Sequence, residues 1–597
     1  MPESRRGASS ALKGWVRALE RTATIEREPR TTLPILIDRL AARLKSSPAL
    51  ISRETSLSYQ ALAELSHRYA RWALAEGIAA GDTVCLLMDN CPDYLGIWLG
   101  LSRAGVAIAL LNTHLTGESL AHSIRIVAPR AIIAGARFAD RLESARALIA
   151  AEVPCWSHGS DGSPFPRIEP LIERLSEEPL AENERALPTL ADRALYIYTS
   201  GTTGLPKAAI VSHRRLMQWS HWFAGMMDVT PADRMYDCLP LYHSVGGVVA
   251  TGATLVGGGA VVLRERFSAS HFWEDIRQER CTLFQYIGEL CRYLLASPPQ
   301  SGETNHGLRL ACGNGLRAEV WTAFQDRFRI PRILEYYAAT EGNFSLYNCE
   351  GRPGSVGRIP PFLSHRYPVA LVRSDSTTGM PMRDAQGRCL PCSPGEAGEA
   401  LGRIVDGAGG EGTRFEGYAD REATRSKVLH DVFSPGDAWY RTGDLMRRDA
   451  EGFFYFVDRV GDTFRWKGEN VSTTEVAAVL GNIPGVADVA VYGVSVPGTE
   501  GRAGMAAVVV AKDFDLTELS RETTGRLPEY ARPLFLRIVT ALDLTGTFKL
   551  QKARLTSEGY DPSLVTDELH FWHAGQGCYV KLDTALHQRL VRGLERV

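Results

Sequence analysis

The sequence predicts an α/β protein with a large N-terminal body of β-sheets packed with helices, followed by a small α+β domain. After Leu33, apolar strand-type runs alternate with amphipathic helical stretches, which is the pattern of parallel βαβ units. After residue 457 the pattern changes to shorter helices and strands. The length of 597 residues, with 45% hydrophobic and 23% charged residues, suffices for a large core and for more than one domain.

The first elements of the body can be placed from local signals. Ser58 is a suitable N-cap for a helix with one apolar face, and Gly77 is a suitable stop. The apolar run 84–88 predicts a strand, 93–103 predicts a helix, and 106–111 predicts the next strand.

The last part of the chain predicts a helix at 475–480 and strands at 486–494, 506–511 and 534–539. Two polar segments, 154–190 and 374–412, look like surface connections. We therefore expect three parts: an amphipathic or disordered extension (1–32), a large domain (33–460) and a C-terminal domain (461–597).

One uncharged segment has nearly the length of a membrane span. Residues 245–263 carry no charge over 19 positions, close to the ~20 that a spanning helix needs. Six of them are glycines, and three adjacent ones at 257–259 would interrupt a helix. A buried helix, a glycine turn and a strand at 260–263 fit the segment better.

Charge and cysteine content narrow the function classes. The 67 basic and 69 acidic residues give a net charge of -2, which offers no support for nucleic-acid binding. Of eleven cysteines only Cys389 and Cys392 form a close pair, which is weak evidence for a metal or redox site. With no signal peptide recognisable, we expect free thiols in a reducing, cytoplasmic setting.

The N-terminal thirty residues are basic and include a helical pattern. Leu12, Trp15, Val16 and Leu19 share one face, with basic residues on another. Such a helix can lie on the inner face of an anionic membrane. Docking on the protein body and a disordered tail are the alternatives.

The strongest local signal is the run 198–207, which reads YTSGTTGLPK between two predicted strands. Six consecutive Thr, Ser and Gly residues offer hydroxyls and close backbone N–H groups that can surround an anion. Lys207 adds positive charge. Leu205 and Pro206 separate the last glycine from the lysine, so the spacing is not that of a Walker A loop. The run predicts a phosphate-binding loop.

This loop resembles the phosphate loop of the adenylate-forming enzymes, which include acyl-CoA synthetases, firefly luciferase and peptide-synthetase adenylation domains. Further segments resemble motifs of that family and follow in its order: LPLYH at 239–243, GNG at 313–315, YYAATE at 336–341, YRTGD at 440–444, DRVGDTFRWKGENV at 458–471 and TFK at 547–549. The resemblance extends from about residue 33 to the C-terminus.

The resemblance implies ATP and coenzyme A as substrates and Mg²⁺ as cofactor. It implies Lys549 as the catalytic lysine, with Lys552 as the alternative, Glu341 as the metal ligand and Thr202 as a donor to phosphate. The implied ATP-binding residues are Thr199, Ser200, Gly201, Thr202, Thr203, Gly204, Lys207, Gly313, Asn314, Gly315, Tyr337, Thr340, Asp444 and Arg459. The residues assigned to the acyl side are His243, Tyr286 and Gly288, and those assigned to coenzyme A are Trp466, Lys467 and Gly468.

Three segments are similar to the branch of fatty-acid transport proteins and very-long-chain acyl-CoA synthetases: YIGELCRYLL at 286–295, CGNGLR at 312–317 and the segment 458–470. The branch implies a long aliphatic carboxylate as substrate and a mobile C-terminal domain. Two positions depart from the family pattern. Ala338 replaces a glycine, and Gly461 stands where many relatives carry a charged hinge residue.

The resemblance thus predicts an AMP-forming fatty acid–CoA ligase. A fatty-acid uptake component with secondary ligase activity, and an enzyme that loads its acyl group onto a carrier protein, are the alternatives. Lys549, Glu341 and Asp444 favour the ligase over a pure transporter. Gly468, at the pantetheine-guiding position, favours coenzyme A over a carrier, and this chain contains no carrier domain.

Overall fold

The chain forms two compact units. The computed structural model describes residues 11–595, except 151, 160–161, 182, 185–187, 200–204, 376–377, 406–413, 468, 500 and 545–549. One unit comprises Met1–Arg358 with Arg414–Ser426, and the other comprises Ile359–Thr413 with Lys427–Val597. The domain boundary expected near Val460 stays a prediction.

The first unit contains two sheets. Its strands are β1 (Pro48–Ile51), β2 (Ser56–Ser58), β3 (Thr83–Leu87), β4 (Ala107–Leu110), β5 (Ala131–Gly135), β6 (Cys155–His158), β7 (Arg193–Thr199), β8 (Lys207–Ser212), β9 (Arg234–Asp237), β10 (Ala260–Leu263), β11 (Leu283–Ile287), β12 (Leu310–Asn314), β13 (Ile333–Ala338) and β14 (Ser345–Asn348). The strand orders are β6-β5-β3-β4-β7-β8 and β14-β13-β12-β11-β9-β10-β1-β2. β6-β5-β3-β4-β7 pair in parallel, as do β13-β12-β11-β9-β10-β1.

Helices pack on these sheets. They are α1 (Leu12–Thr22), α2 (Leu33–Leu44), α3 (Tyr59–Ala75), α4 (Pro92–Arg103), α5 (Gly117–Arg125), α6 (Ala139–Arg146), α7 (Glu169–Ile172), α8 (His213–Met227), α9 (Ala253–Val256), α10 (Phe272–Gln278), α11 (Gly288–Ala296), α12 (Ala318–Phe328) and α13 (Arg421–Ser426). The predicted alternation of α3, β3, α4 and β4 is confirmed, and the Ser58 hydroxyl caps α3 by accepting from the Ala61 N–H at 3.1 Å.

The uncharged glycine-rich segment is buried inside the first unit. Val245–Gly252 is a π-helix, α9 continues it, and β10 follows at the predicted position. Added Cβ atoms would lie 2.6 Å from the Pro240 carbonyl oxygen at Gly246 and 2.4 Å from the Leu241 carbonyl oxygen at Gly247. The glycines therefore allow close backbone packing. Within the described residues, no helix combines the length and apolarity that crossing a bilayer requires.

Part of the apolar face of α1 packs against α8: Trp15 and Ala18 are buried, whereas Leu12 and Val16 are 49% and 44% exposed. Trp15 is 2% exposed and meets Trp222 edge-on at 5.7 Å between ring centroids. A Cβ at Gly225 would lie 2.5 Å from the Ala18 Cα atom, so a glycine is what lets the two helices touch. The docked alternative for the N-terminal helix is thereby confirmed.

Two arginines on the basic face of α1 contact the C-terminal end of α8. Arg17 donates to the Gly225 carbonyl at 3.1 Å and lies 3.2 Å from Asp228, and Arg21 donates to the Val229 carbonyl at 3.0 Å. Cations at the C-terminus of a helix are favourable because the unpaired carbonyls there carry partial negative charge. Trp15 and these arginines are thus held by α8 in this structure, and membrane contact through the N-terminus stays a prediction.

The second unit contains two larger sheets and a hairpin. Its strands are β15 (Val369–Val372), β16 (Ala397–Ile404), β17 (Val428–His430), β18 (Ala438–Arg448), β19 (Phe454–Arg459), β20 (Phe464–Trp466), β21 (Glu469–Val471), β22 (Val486–Val494), β23 (Ala503–Val510), β24 (Phe535–Val539), β25 (Glu568–His573) and β26 (Cys578–Lys581), and its helices are α14 (Thr473–Gly481), α15 (Leu516–Arg526), α16 (Ala553–Glu558) and α17 (Thr584–Val591). β15-β16-β18-β17 form one sheet, with β19 paired to β18, and β22 to β26 form the other in chain order. The predicted C-terminal helix and strands are confirmed.

Candidate functional site

Several of the predicted motifs lie at one edge of the parallel sheet. β9, β11, β12 and β13 run parallel, and their carboxyl ends lead into the segments that contain His243, Gly288, Gly315 and Glu341. Ligands bind at this edge in open α/β sheets, because the strands end there and their loops form a crevice. The topology thus explains why motifs far apart in sequence lie close together.

The predicted phosphate loop connects the two strands of a hairpin. β7 ends at Thr199, β8 begins at Lys207, and these two residues pair directly. The strands predicted on both sides of the loop are therefore confirmed. Five of its assigned residues lie outside the described part of the chain: Ser200, Gly201, Thr202, Thr203 and Gly204.

Three side chains hold the loop that contains Thr340 and Glu341. The Thr340 hydroxyl lies 3.0 Å from the Ser244 hydroxyl, within hydrogen-bonding distance. The Tyr418 hydroxyl donates to Glu341 Oε1 at 2.8 Å. The buried Arg215 guanidinium donates to the Gly342 carbonyl. The loop is thus fixed from three directions.

Tyr418 connects this loop to the phosphate hairpin. Its backbone pairs with Ala209 of β8 in an isolated antiparallel bridge, and the Lys207 ammonium lies 5.8 Å from the centre of its ring. Tyr418 is 4% exposed, and burial beside Glu341 raises the pKa of its hydroxyl. The hydroxyl therefore stays protonated and can donate to the Glu341 carboxylate.

No strong sequence signal marks Tyr418. It follows Gly417 after the polar region 374–412, and no ligand chemistry points to a single tyrosine there. The contact with Glu341 spans 77 positions along the chain. Only the folded structure brings the two together.

The glycine strand predicted to lie beside adenine ends in a tight turn. Gly313 and Asn314 end β12, and Gly315 has φ +77°, which favours glycine. The turn leads into α12. Tyr337 lies on β13 with its ring 5.9 Å from that of Phe344, and its stacking on adenine stays a prediction.

Two residues assigned to the acyl chain contact this turn instead. Tyr286 is fully buried and donates its hydroxyl to Glu335. A Cβ at Gly288 would lie 2.0 Å from the Gly315 carbonyl oxygen, so backbone fills the space left open by that glycine. These contacts give Tyr286 and Gly288 a packing role and do not support the proposed acyl contacts. His243, half-buried after β9 with its ring 4.6 Å from Tyr242, remains a candidate.

In the second unit, the two residues assigned to the ribose are neighbours. Asp444 and Arg459 pair across β18 and β19, and the Arg459 Nε atom lies 3.7 Å from Asp444 Oδ1. The Asp444 N–H donates to the Thr442 hydroxyl at 3.0 Å. Glu399 is fully buried, accepts from Arg441 at 2.7 Å and accepts from the Gly443 N–H at 3.2 Å. These contacts fix the YRTGD segment, while the ribose assignment stays a prediction.

The residues assigned to coenzyme A divide into two groups. Trp466 is 4% exposed and lies in the core of the C-terminal sheet and helices, so its side chain does not face a ligand in this structure. Lys467 follows at φ +49° and donates to Glu529 at 2.9 Å. Gly468 lies outside the described residues.

The described lysine near the C-terminal motif is already paired. Lys552 lies 3.2 Å from Asp462 and donates to the Thr473 hydroxyl at 2.9 Å. Thr473 in turn donates from its N–H to Asp458 at 2.7 Å, which joins α14 to the end of β19. Lys552 is thus held by an ion pair and a hydrogen bond in this structure, and the choice of Lys549 as the catalytic lysine stays a prediction. Lys549 itself lies outside the described residues.

Comparisons with known proteins agree on one family. The model of the AMP-binding enzymes matches residues 37–400, and the model of their C-terminal domain matches residues 475–549. Long-chain fatty acid transport protein 1 of Mus musculus is 43% identical over 568 residues, covering 94% of this chain and 88% of the relative. Long-chain fatty acid transport protein 6 of Homo sapiens is 38% identical, covering 95% and 92%.

Solved structures share the fold. The anthranilate CoA ligase AuaEII in complex with anthranoyl-AMP superposes with a TM-score of 0.75 at 22% identity, over 88% of this chain and 96% of the other. ATP-bound MatB from Rhodopseudomonas palustris gives 0.73 at 24%, over 88% and 99%. The predicted fold class is confirmed.

Proposed function

The chain belongs to the family of AMP-binding enzymes, and on that premise we propose that it ligates a long- or very-long-chain fatty acid to coenzyme A. The reaction passes through an acyl-adenylate and releases AMP and pyrophosphate. The curated relatives that match most of the chain are named long-chain fatty acid transport proteins, and this supports a long aliphatic acid as the substrate.

The observation that supports the proposal most strongly is the contact between Glu341 and Tyr418 beside the β7–β8 hairpin, whose connection is the predicted phosphate loop. Tyr418 contacts both the Glu341 carboxylate and the Lys207 ammonium, which lies 5.8 Å from the centre of its ring, and Lys207 pairs with Thr199 where the phosphate loop starts. In adenylation, a fatty-acid carboxylate attacks the α-phosphate of ATP, and both groups are negative. Catalysis therefore depends on positioning and on neutralising charge, and a lysine beside a Ser/Thr/Gly-rich loop supplies both.

The residues at this site fit a Mg²⁺ ion. Glu341 offers carboxylate oxygens and Thr340 a hydroxyl oxygen on the same loop, and hard oxygen ligands are those that Mg²⁺ prefers. Mg²⁺ usually takes one or two protein carboxylates together with substrate phosphates and water. Glu341 would hold the ion, which supplies charge neutralisation to the phosphate oxygens when it is bound.

The second half-reaction transfers the acyl group to the thiol of coenzyme A. The thiol sulfur bonds to the acyl carbon, the bond from that carbon to the phosphate oxygen breaks, and AMP leaves. Lys549 acts in the first step and the 466–468 loop in the second, so we expect the C-terminal part to alternate between them by a hinge motion. The cytoplasm is the compartment we propose for this reaction.

A substrate panel tests the proposal. The purified protein is given ATP, Mg²⁺ and carboxylates from C2 to C26, and AMP release is measured with and without coenzyme A. We expect AMP and acyl-CoA to form in equal amounts, with long acids preferred. AMP release that does not depend on a fatty acid would refute the ligase.

The same assay separates the alternatives. Acyl transfer to an added carrier protein, but not to coenzyme A, would identify a carrier-loading enzyme. If cells with the Lys549→Ala variant still took up fatty acid, transport would be the primary role of the protein and ligation a secondary one. Glu341 and Lys207 favour the ligase, since a pure transporter has no use for a charged nucleotide site.

A further inference from the structure

Three neighbouring strands are joined across the face of the parallel sheet where it meets the adenine-side turn. Tyr286 of β11, Gly313 of β12 and Glu335 of β13 lie side by side in register. The Tyr286 hydroxyl donates to Glu335 Oε2. Because adjacent strands are about 4.8 Å apart, the tyrosine side chain must cross the middle strand to reach this carboxyl group.

Gly313 makes the crossing possible. A Cβ at this position would lie 2.5 Å from Tyr286 Cδ2 and 2.6 Å from Tyr286 Cγ. The Tyr286 carbonyl oxygen would lie nearer still, at 2.3 Å, so a larger residue would collide with the backbone of β11 as well as with the ring. The glycine that sequence reasoning assigned to nucleotide approach therefore also makes room for a tyrosine.

The other oxygen of Glu335 holds the turn itself. Glu335 Oε1 accepts from the Leu316 N–H at 3.0 Å. On the opposite side, Gly288 at the start of α11 packs against the Gly315 carbonyl. The turn 313–316 is thus fixed by a carboxyl group from β13 and by backbone from α11.

We propose that Tyr286 and Glu335 are positioning residues for the nucleotide, acting through the backbone of the turn 313–316. The inference rests on the proposed function, which assigns this turn to the adenine side of the ATP site. Glu335 is 2% exposed and Tyr286 is fully buried, so water cannot replace either partner. An unpaired N–H at Leu316 would leave the turn free to move.

The desolvated carboxyl group is in keeping with this role. Burial raises the pKa of Glu335 to about 8, which favours the neutral form of this carboxyl group.

Nucleotide binding tests the inference independently of catalysis. Calorimetry measures AMP binding to the unmodified protein, to Glu335→Leu, to Tyr286→Phe and to Glu335→Gln, and kinetics gives KM for ATP and for the fatty acid. Glu335→Leu should weaken AMP binding and raise KM for ATP about tenfold or more, because the Leu316 N–H loses its acceptor. Tyr286→Phe should have a smaller effect of the same kind, and Glu335→Gln should restore most of the affinity.

Tyr59→Phe is the matched control. Tyr59 is equally buried and donates its hydroxyl to the Gly259 carbonyl at 2.7 Å, far from the turn in the chain. It should leave AMP binding and KM for ATP unchanged. Two results would overturn the inference. One is an equal rise in KM for ATP and in KM for the fatty acid. The other is an AMP affinity within about twofold of that of the unmodified protein in both Glu335→Leu and Tyr286→Phe.

Two further outcomes are decisive. Tyr286→Phe adds no volume, so AMP binding to this variant tests the inference if Glu335→Leu does not fold. If the unmodified protein fails to bind AMP, the proposed function and this inference fall together. If it binds AMP and the variants match it, only the inference fails.

Discussion

Removing the Tyr418 hydroxyl tests the geometry of the site most directly. Tyr418→Phe deletes one oxygen, which donates to Glu341 Oε1 at 2.8 Å, and leaves the ring beside Lys207. The backbone bridge to Ala209 does not involve the side chain. The change therefore removes one hydrogen bond to a charged group and preserves the surrounding packing.

The expected loss follows from the burial of that bond. Hydrogen bonds to charged groups contribute about 1.5–3 kcal/mol, and this bond is partly buried, with Tyr418 4% exposed and Glu341 half-buried. Since about 1.36 kcal/mol corresponds to a tenfold change in rate, adenylation should slow by about 10- to 150-fold. Thioester formation from supplied acyl-AMP should change far less, because no α-phosphate is attacked in that step.

The assay measures pyrophosphate release without coenzyme A and, separately, acyl-CoA formation from acyl-AMP. A Mg²⁺ titration accompanies both, and a higher Mg²⁺ requirement is expected if Tyr418 orients Glu341 for the ion. Tyr59→Phe serves as the control for loss of a buried hydroxyl elsewhere. Adenylation within about twofold of the unmodified rate, or equal loss of both half-reactions, would refute the reasoning.

Three other changes test separate parts of the structure. Lys549→Ala should abolish adenylation and spare thioester formation. Lys552→Ala breaks the contact with Asp462 at 3.2 Å and should keep measurable adenylation. If Lys552→Ala abolished adenylation and Lys549→Ala did not, Lys552 would be the catalytic lysine. Gly461→Pro should eliminate the conformation seen here, because φ at Gly461 is +95° and proline requires about −65°. The rates of the two half-reactions, assayed separately, should then diverge by about tenfold or more. Native rates in both would mean that the hinge lies elsewhere in the chain. Gly225→Val should force α1 away from α8 and lower the free energy of unfolding by about 1–3 kcal/mol, measured as a fall in thermal midpoint; an unchanged midpoint would show that α1 contributes little.

Local signals were enough to predict much of the fold. The cap at Ser58, the alternating apolar runs of β3 and β4 and the glycine-interrupted segment before β10 all act within a few residues. Each prediction used only the propensities of adjacent positions, and the structure confirms them. Parallel pairing followed because helices separate the strands.

Contacts between distant residues were beyond such signals. Tyr286 and Gly288 looked available for a ligand, but the space beside them is taken by Glu335 and Gly315 from later strands. The sequence around Trp466 and Lys467 does not show whether the tryptophan side chain faces solvent or the core. In the structure it faces the core.

The N-terminal helix shows the same limit on a larger scale. Its amphipathic pattern is identical for a membrane surface and for a groove on another helix. The deciding facts are the small residue Gly225 and the carbonyls at the end of α8, about 200 positions away, since the Arg17 contact with Gly225 spans 208. Amphipathicity states that a face is covered and not what covers it.

The crossing of Tyr286 over Gly313 has a consequence for how this family can diverge. An alanine at 313 would collide with the ring and with the Tyr286 carbonyl oxygen, and a smaller residue at 286 would leave Glu335 without its partner. A glycine is therefore needed at 313 whatever residue stands at 286, whereas Tyr286 and Glu335 can change together more easily than one at a time. In an alignment of relatives, the position of Gly313 should stay glycine, loss of the tyrosine should coincide with loss of the carboxyl group, and relatives that keep all three should share the same turn into α12.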